Sequence, residues 1–290
     1  MARKAGVPLA APVEIDDGLE SAVLTNSPLF AVMPVPPVAP ISPIDLRGKP
    51  KLVCVVGAGG MGKTLCCRII AERSLDREGS NLVTVDPLNR ELLRFFAEAL
   101  EPESRDRDVI DAFLDRYIAS LLASPGNAVI DFGGGDTALA GLVQRMPNLE
   151  QRLADAGIAL VVLFPVGGRQ DDLTLMADLG AMGFRPKCTA VVLNHIRYKR
   201  GESHEAQFRM TLRHPAYRAA IDHGAVPIWL PHLASDALVR DRHILFADAI
   251  AGRMPEGKKG LPLGPAQSAD VAKWWDAMLA AIAPIDRWLP

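Results

Sequence analysis

Residues 57–64 of this 290-residue chain read Gly-Ala-Gly-Gly-Met-Gly-Lys-Thr. The octapeptide follows the apolar run Leu52–Val56 and precedes a helix-forming stretch, so it fits the pattern G-x-x-x-x-G-K-[ST] between a strand and a helix. Glycines allow the backbone to curl so that successive amides point inward, and the start of a helix adds partial positive charge. The octapeptide therefore predicts a loop that binds a polyphosphate.

The side chains that follow the glycines have the chemistry that a bound nucleotide requires. Lys63 would contact the β- and γ-phosphates, and the hydroxyl of Thr64 would ligate Mg²⁺. The other loop residues would contribute main-chain amides, so the predicted binding set is Gly57, Gly59, Gly60, Met61, Gly62, Lys63 and Thr64. The alternative is a glycine-rich turn in which the Lys-Thr pair is incidental.

Two further strands are expected to end in a carboxylate near this loop, because the carboxyl ends of parallel strands share one edge of a sheet. Asp131 ends the run Ala-Val-Ile-Asp before a glycine stretch and is predicted to hold the metal. Asp86 ends Leu-Val-Thr-Val-Asp and would position the metal or the attacking water. Capping of a helix is the alternative for both, and Asp136 is interpreted as a cap. The predicted catalytic residues are Lys63, Asp86 and Asp131, and the predicted metal ligands are Thr64, Asp131 and Asp86.

From Lys51 onward, short and nearly continuous apolar runs alternate with helix-forming stretches, which is typical of parallel strands covered by helices. The predicted strands are Leu52–Val56, Leu82–Val85, Ala128–Asp131, Ile158–Phe164, Thr189–Leu193 and Val226–Leu230. Helices are predicted near Gly62–Leu75, Glu91–Ala99, Val109–Ala123, Thr137–Arg145, Asp171–Met182, Glu205–Ile221 and Ser235–Ile250. The predicted fold class is α/β, a doubly wound and mainly parallel sheet with helices on both faces.

Composition divides the chain into three parts. Residues 1–50 are rich in proline and predict an extended or disordered arm, which is either a linker or a docking peptide. Residues 51–254 form the predicted nucleotide-binding domain. Residues 255–290 contain a Gly/Pro/Lys-rich linker and a helix, Ser268–Ala283, behind a Ser268 cap. Its apolar stripe is expected to dock on the domain rather than on a membrane surface, and consists of Val271, Trp274, Trp275, Met278, Leu279 and Ile282.

Charge and cysteine content narrow the setting. The net charge of −2 gives no overall field that would recruit nucleic acid or an anionic membrane. Neither a signal peptide nor an apolar run of membrane-spanning length is found in the sequence, which predicts a cytoplasmic protein without stable membrane insertion. The cysteines are interpreted as buried thiols, and the histidines lack the spacing of a zinc site.

The octapeptide resembles the KGGxGKT deviant P-loop of the ParA/MinD superfamily of ATPases, and the strand tips VDPLN, VIDFGGGD and VVLNH occur in that family's order. The resemblance covers roughly residues 51–250. Within the superfamily, DPLN, VIDFGG, PVGGRQDD and LNHIR are most similar to the TraL/StbB-like branch of conjugation and plasmid-maintenance proteins. The resemblance to the ParA/MinD superfamily implies ATP and Mg²⁺ as cofactors, a homodimer, and a water-activating role for Asp86. It also implies contacts to the adenine from Asn194 and from the loop at Pro231.

One position departs from the family's pattern. In ParA/MinD-like ATPases a signature lysine reaches the phosphates of the partner subunit. This chain has Ala58 at the corresponding position. The charge that builds up during hydrolysis still favours a cation nearby. Arg90 and Arg169 are candidates because each follows a predicted strand tip, and solvated surface arginines are the alternative.

Residues 197–218 contain six Arg or Lys residues and two Glu residues, which is a sizeable local excess of positive charge. ParA-type proteins bind DNA nonspecifically through a basic surface, and clustered cations suffice to release counterions from phosphates. The segment therefore predicts a DNA-binding surface, with a solvated helix whose aromatic residues face the core as the alternative. Its cations are Arg197, Lys199, Arg200, Arg209, Arg213 and Arg218.

These features lead to an ATP-driven switch. The resemblance implies that it acts in DNA partitioning or conjugative transfer, with a protein partner from such a system. A small-molecule kinase or ligase would use the same loop for phosphoryl transfer. A nucleotide-binding scaffold with little turnover is the third hypothesis, and Ala58 favours it.

Overall fold

A computed structural model describes residues 39–74, 79–86, 90–133, 137–196 and 203–290. Their strands are β1 (Lys51–Val55), β2 (Asn81–Thr84), β3 (Ala128–Asp131), β4 (Ala159–Val166), β5 (Cys188–Asn194) and β6 (Val226–Leu230). They form one parallel sheet in the order β2-β3-β1-β4-β5-β6. Strands β3 and β6 have the predicted ends, and the ends of the other four strands are shifted by one or two residues.

The helices of the described residues lie between and after these strands. They are α1 (Lys63–Arg73), α2 (Glu91–Phe95), α3 (Arg107–Ala123), α4 (Ala138–Arg145), α5 (Leu149–Asp155), α6 (Thr174–Ala181), α7 (His204–Gln207), α8 (Arg209–Arg213), α9 (Pro215–Asp222), α10 (Asp236–Arg242), α11 (Phe246–Ile250) and α12 (Pro265–Ile282). Short 3-10 segments occupy Gln170–Leu173 and Ala283–Trp288.

The sheet has an apolar core on each face, because successive side chains of a strand point to opposite sides. Val53 and Val55 of β1 pack with α1, α2, α11 and α12 on one face. Leu52 and Cys54 pack with α3 to α6 on the other face. The predicted fold class, an α/β fold with a doubly wound parallel sheet and helices on both faces, is confirmed.

The strand order positions the glycine-rich loop. β1 pairs with β3 on one side and with β4 on the other, so the connections turn in opposite directions from β1. In open α/β sheets such a reversal opens a crevice at the carboxyl ends of the strands. The loop of residues 57–62 leaves β1 at this crevice.

Several predicted helices differ from those observed. The stretch predicted as one helix over Glu205–Ile221 is three short helices. Pro215 begins the last of them behind the extended residue His214, which accounts for the second break. Ser235–Ile250 is divided into α10 and α11 at His243, which adopts a left-handed φ of 51°. Helix α5 was not predicted.

The C-terminal helix begins earlier than predicted. Pro265 occupies its first turn after Gly264, which is a favourable position for proline, so the predicted Ser268 cap is wrong. Helix α12 packs on β6 and α11. Trp274 and Met278 of the predicted stripe are buried, whereas Leu279 is 38% exposed. Within the described residues, no helix combines the length and apolar character needed to cross a bilayer.

The described part of the proline-rich arm runs beside the C-terminal segment. The amide of Ser42 donates to the carbonyl of Pro284 at 2.9 Å, and the amide of Leu46 donates to that of Arg287 at 3.2 Å. The indole of Trp288 donates to the carbonyl of Ile44 at 3.2 Å. Residues 39–50 are therefore ordered along the chain end. Residues 1–38 lie outside the described part.

The four cysteines are free and buried, as the sequence suggested. Burial raises the pKa of Cys54 and of Cys66 to about 12 and that of Cys188 to about 11. Thiols held so far from their thiolate form are poor nucleophiles and poor metal ligands. Their role is core packing.

Candidate functional site

The glycine-rich loop encloses its own lysine. Lys63 begins α1, and its side chain is only 6% exposed. Its ammonium donates to the carbonyl of Ala58, across the loop, at 3.0 Å. A buried ammonium with one main-chain partner retains further donors for an anion. The structure thus places a cation where the sequence predicted phosphate binding.

Two glycines of the loop are required by their surroundings. A Cβ atom at Gly57 would lie 2.9 Å from the carbonyl oxygen of Pro165 on β4. Gly62 caps α1 with a left-handed φ of 91°, and a Cβ atom there would lie 2.2 Å from the side-chain nitrogen of Asn194. Both the close approach and the backbone angle favour glycine.

Thr64 and Asp131 meet at the carboxyl edge of the sheet. Val55 of β1 pairs with Asp131 of β3, and the Thr64 hydroxyl donates to Oδ2 of Asp131 at 2.8 Å. Asp131 is 2% exposed, and its Oδ1 is buried without a hydrogen-bond partner within the described residues. Burial raises the pKa of Asp131 to about 7, against the opposing effects of the Thr64 hydrogen bond and the Lys63 charge.

Asp86 lies beside this pair, one strand farther out. The amide of Val85 donates to the carbonyl of Asp131 at 2.9 Å, so the chain reaches Asp86 directly next to the tip of β3. Asp86 is half-buried, and its charge contributes to the raised pKa of Asp131. Asp136, the predicted cap, lies outside the described residues.

The oxygen donors at this edge fit a magnesium ion. Mg²⁺ prefers carboxylate, hydroxyl and water oxygens, which Asp131, Thr64 and Asp86 can supply. Asp131 offers a buried oxygen without a partner in the described part of the chain, and a nearby cation would offset the cost of ionising it. The residues that the sequence predicted as metal ligands are therefore brought together.

Asn194 and Pro231 lie on the opposite side of the loop from the carboxylates. Asn194 ends β5, is 3% exposed, and donates its side-chain amide to the carbonyl of Met61 at 3.0 Å. Pro231 follows β6, and its carbonyl accepts a hydrogen bond from Trp274 at 2.9 Å. The contact of both residues with an adenine stays a prediction. No sequence pattern indicated the bond from Asn194 to the loop.

The segment after β4, residues 167–172, packs against Met61 of the glycine-rich loop through Gly167. The carboxylate of Asp172 accepts hydrogen bonds from the amides of Gly167 at 2.9 Å and Arg169 at 3.0 Å, which fixes the turn. Arg169 itself is exposed. Arg90, the other candidate cation, is 62% exposed and forms an ion pair with Glu101.

Two buried histidines, His195 and His204, lie in contact next to Asn194. The sequence analysis did not predict this contact. His195 is 1% exposed, and its Nε2 lies within hydrogen-bond distance of Nδ1 of His204. His232 binds the carbonyl of His195 through Nδ1 at 3.1 Å. Burial lowers the pKa of His195 to about 4, with smaller contributions from His204 and His232. His195 therefore stays uncharged near neutral pH and contacts His204 and His232 behind the tips of β5 and β6.

The basic stretch is only partly described, since residues 197–202 lie outside the described ranges. Arg209, Arg213 and Arg218 are exposed, and the first two lie one turn apart. Phe208 and Tyr217, in contrast, are buried in the core under β5 and β6. The described cations can meet an anionic surface, while these two aromatic rings serve packing.

Comparison with known proteins identifies similar folds. No family model matches the chain, and a search of curated proteins finds no match. The signal recognition particle receptor FtsY from Elizabethkingia anophelis, in complex with GDP, is 16% identical over 82% of this chain and 67% of its own, with a TM-score of 0.41. The cell division protein FtsY from Thermotoga maritima is 18% identical over 82% of this chain and 70% of its own, with a TM-score of 0.40. The signal recognition particle 54 kDa protein from Aeropyrum pernix K1, in complex with GDP, is 21% identical over 64% of this chain and 42% of its own, with a TM-score of 0.38.

The histidine pair predicts a pH dependence of stability. The folded-state pKa of His195, about 4, lies below its ordinary value of 6.5, so between these values the unfolded chain binds a proton that the folded chain does not. The stabilisation is complete above pH 6.5 and is lost as the pH falls toward 4. Urea unfolding at several pH values should show a shallower decline for His195→Gln than for wild type. The exposed His223→Gln is the control, and equal declines for His195→Gln and wild type would contradict the assignment.

Proposed function

We propose that the chain binds Mg²⁺-ATP and hydrolyses it as a nucleotide-dependent switch of the ParA/MinD type. The observation that supports this most directly is the meeting of a buried lysine, a hydroxyl and a buried carboxylate at one glycine-rich loop. Such a combination offers amide donors and a cation to phosphates, and oxygen ligands to their metal. Neighbouring residues then decide whether hydrolysis follows.

Mg²⁺ would be held by Thr64 and Asp131, with Asp86 at the same edge of the sheet. When bound, the ion supplies positive charge next to the β- and γ-phosphate oxygens. Lys63 would exchange the carbonyl of Ala58 for a phosphate oxygen, because its ammonium already points across the loop. Asp86, half-buried beside Asp131, would orient the attacking water.

A cation for the developing charge has two candidates in this chain. Arg169 is exposed in the turn that Asp172 fixes, two residues after Gly167, which lies against Met61 of the glycine-rich loop. Arg90 would first have to leave Glu101. We favour Arg169, acting in its own subunit or across a homodimer in place of the lysine that Ala58 replaces.

The base is proposed to be adenine, held near Asn194 and Pro231. The tips of β5 and β6 lie on the side of the loop opposite to the carboxylates, which leaves them for the nucleoside. The described groups at these two tips are the Asn194 amide, backbone carbonyls and the imidazoles of His195 and His232. Guanine is best recognised by a carboxylate that accepts from its N–H groups, and the nearby carboxylate of Asp270 is already bound to Ser235. Competition by GTP belongs in every binding experiment, because GTP differs from ATP in its base alone.

The proposed setting is DNA partitioning or conjugative transfer, with DNA and a protein of that system as partners. Its support is the resemblance of the strand-tip motifs and the exposed cations Arg209, Arg213 and Arg218. A kinase or ligase would transfer the γ-phosphoryl group to a metabolite rather than to water. A scaffold would bind nucleotide without turnover under any condition.

Removal of the loop lysine should abolish tight nucleotide binding. Lys63→Ala removes a charge-assisted contact to phosphate, so the affinity for Mg²⁺-ATP in titration calorimetry should fall about 10- to 100-fold. Lys187→Ala, an exposed lysine elsewhere, is the matched control and should bind as wild type does. Unchanged weak binding by wild type and Lys63→Ala alike would refute the proposed function.

The acidic edge should make binding depend on magnesium. Asp131→Asn removes a buried anionic ligand, so the gain in ATP affinity that wild type shows on adding Mg²⁺ should shrink about 10- to 100-fold. ATP affinity in EDTA should change much less. Asp178→Asn, an exposed aspartate on α6, is the control. A full magnesium effect in Asp131→Asn would remove this residue from the metal site.

The basic face should bind DNA in a salt-dependent manner. Replacing Arg209, Arg213 and Arg218 together by alanine removes up to three phosphate-binding cations, so the slope of log affinity against log salt should become shallower by about 0.9 for each phosphate that is no longer neutralised. The charge-matched control replaces Arg105, Arg116 and Lys187. Fluorescence anisotropy gives the slopes, and phosphate release with and without DNA reports the switch. Identical slopes would assign DNA binding elsewhere or exclude it.

A further inference from the structure

The loop that follows β6 is held at both ends by two side chains of helix α12. The indole of Trp274 donates to the carbonyl of Pro231 at 2.9 Å. The carboxylate of Asp270 accepts from the amide of Ser235 at 3.0 Å and from its hydroxyl at 2.7 Å. Asp270 and Trp274 lie one helical turn apart, so a single face of α12 fixes residues 231–235.

This loop is joined to the phosphate loop through β5. Leu230, the last residue of β6, pairs with Asn194, and Asn194 donates to the carbonyl of Met61 in the glycine-rich loop. The tips of β5 and β6 are two and three strand spacings from β1, about 10 and 14 Å. A nucleoside extending from phosphates bound at β1 spans a distance of this order.

The same helix also contacts α1 through an aromatic cluster. The rings of Trp274 and Phe246 are 4.9 Å apart, and Phe246 lies 4.2 Å from the guanidinium of Arg68. Phe95 covers the other side of that guanidinium at 3.6 Å. Arg68 belongs to α1, the helix that begins at Lys63. Helix α12 therefore contacts the loop that lies toward the base, and Phe246 of α11 links it to α1, the helix that would begin at the phosphates.

We infer that α12 is a positioning element of the nucleotide site, in which Asp270 and Trp274 fix loop 231–235 as the wall for the nucleoside. The inference rests on the proposed function and extends it to a segment that the resemblance does not cover. Directional bonds support this reading over simple packing. A buried phenylalanine would fill the Trp274 site equally well but would leave the Pro231 carbonyl unbound, and a half-buried Asp270 has water as an alternative partner.

The test compares ATP with inorganic tripolyphosphate, both with Mg²⁺, because only ATP carries a nucleoside. Trp274→Phe keeps the ring and removes the donor, and Asp270→Ala removes the acceptor. ATP affinity should fall about 5-fold in the first variant and about 10-fold in the second, while tripolyphosphate affinity stays at the wild-type value. The control variants Trp275→Phe and Asp276→Ala on the same helix should bind both ligands as wild type does.

The outcomes separate this inference from the proposed function. If wild type binds neither ligand, the proposed function fails. If wild type binds ATP in a Lys63-dependent manner and both Trp274→Phe and Asp270→Ala retain full ATP affinity, only the positioning role of α12 is overturned. It is also overturned if the two ligands weaken equally, which would mark a general loss of structure, or if wild type binds ATP no more tightly than tripolyphosphate.

Discussion

The position of β1 between β3 and β4 determines what the rest of this chain can do. Because β1 is central, the loop that leaves it is flanked by the tip of β3 on one side and by β4 and β5 on the other. The hydrogen bond from Thr64 to Asp131 and that from Asn194 to Met61 both follow from this order. Reordering the strands would separate these partners, whatever the residues in the loop.

Helix α1 concentrates the buried charges of its face. It carries Lys63 in its first turn and, farther along, Arg68 with its ion-pair partner Glu72. Desolvation lowers the pKa of Arg68 and raises that of Glu72 to about 7, so their mutual attraction only partly offsets the cost of burial. The amide of Phe246 also donates to Glu72. Helix α1 begins at the glycine-rich loop with Lys63, and its Arg68 and Glu72 bind the backbone of Ile244 and Phe246. It thus connects the loop to the segment around α11.

Local patterns in the sequence account for the strands, the loop and the pairing of Thr64 with Asp131. Continuous apolar runs reveal buried parallel strands, and carboxyl ends of neighbouring strands meet at one edge, so these contacts follow without knowledge of side-chain positions. The break at His243 and the contact between His195 and His204 do not follow. Each depends on how a loop returns to the core, and no residue period encodes that.

The tail illustrates a second limit. An apolar stripe at helical spacing predicts a buried face but not its partner, and the bond from Ser235 to Asp270 joins residues on separate elements. The predicted Ser268 cap is wrong because Gly264 and Pro265 already provide a favourable start.

The central position of β1 has a consequence for biosynthesis. Residues 57–64 leave the ribosome before the groups that shape them, Asp131, Pro165 and Asn194, are translated. At typical elongation rates of about 5 to 20 residues per second, the loop waits several seconds for its neighbours. Strand β1 therefore stays unpaired on the nascent chain until β3 and β4 have emerged, and its apolar side chains are exposed to misassociation during that interval.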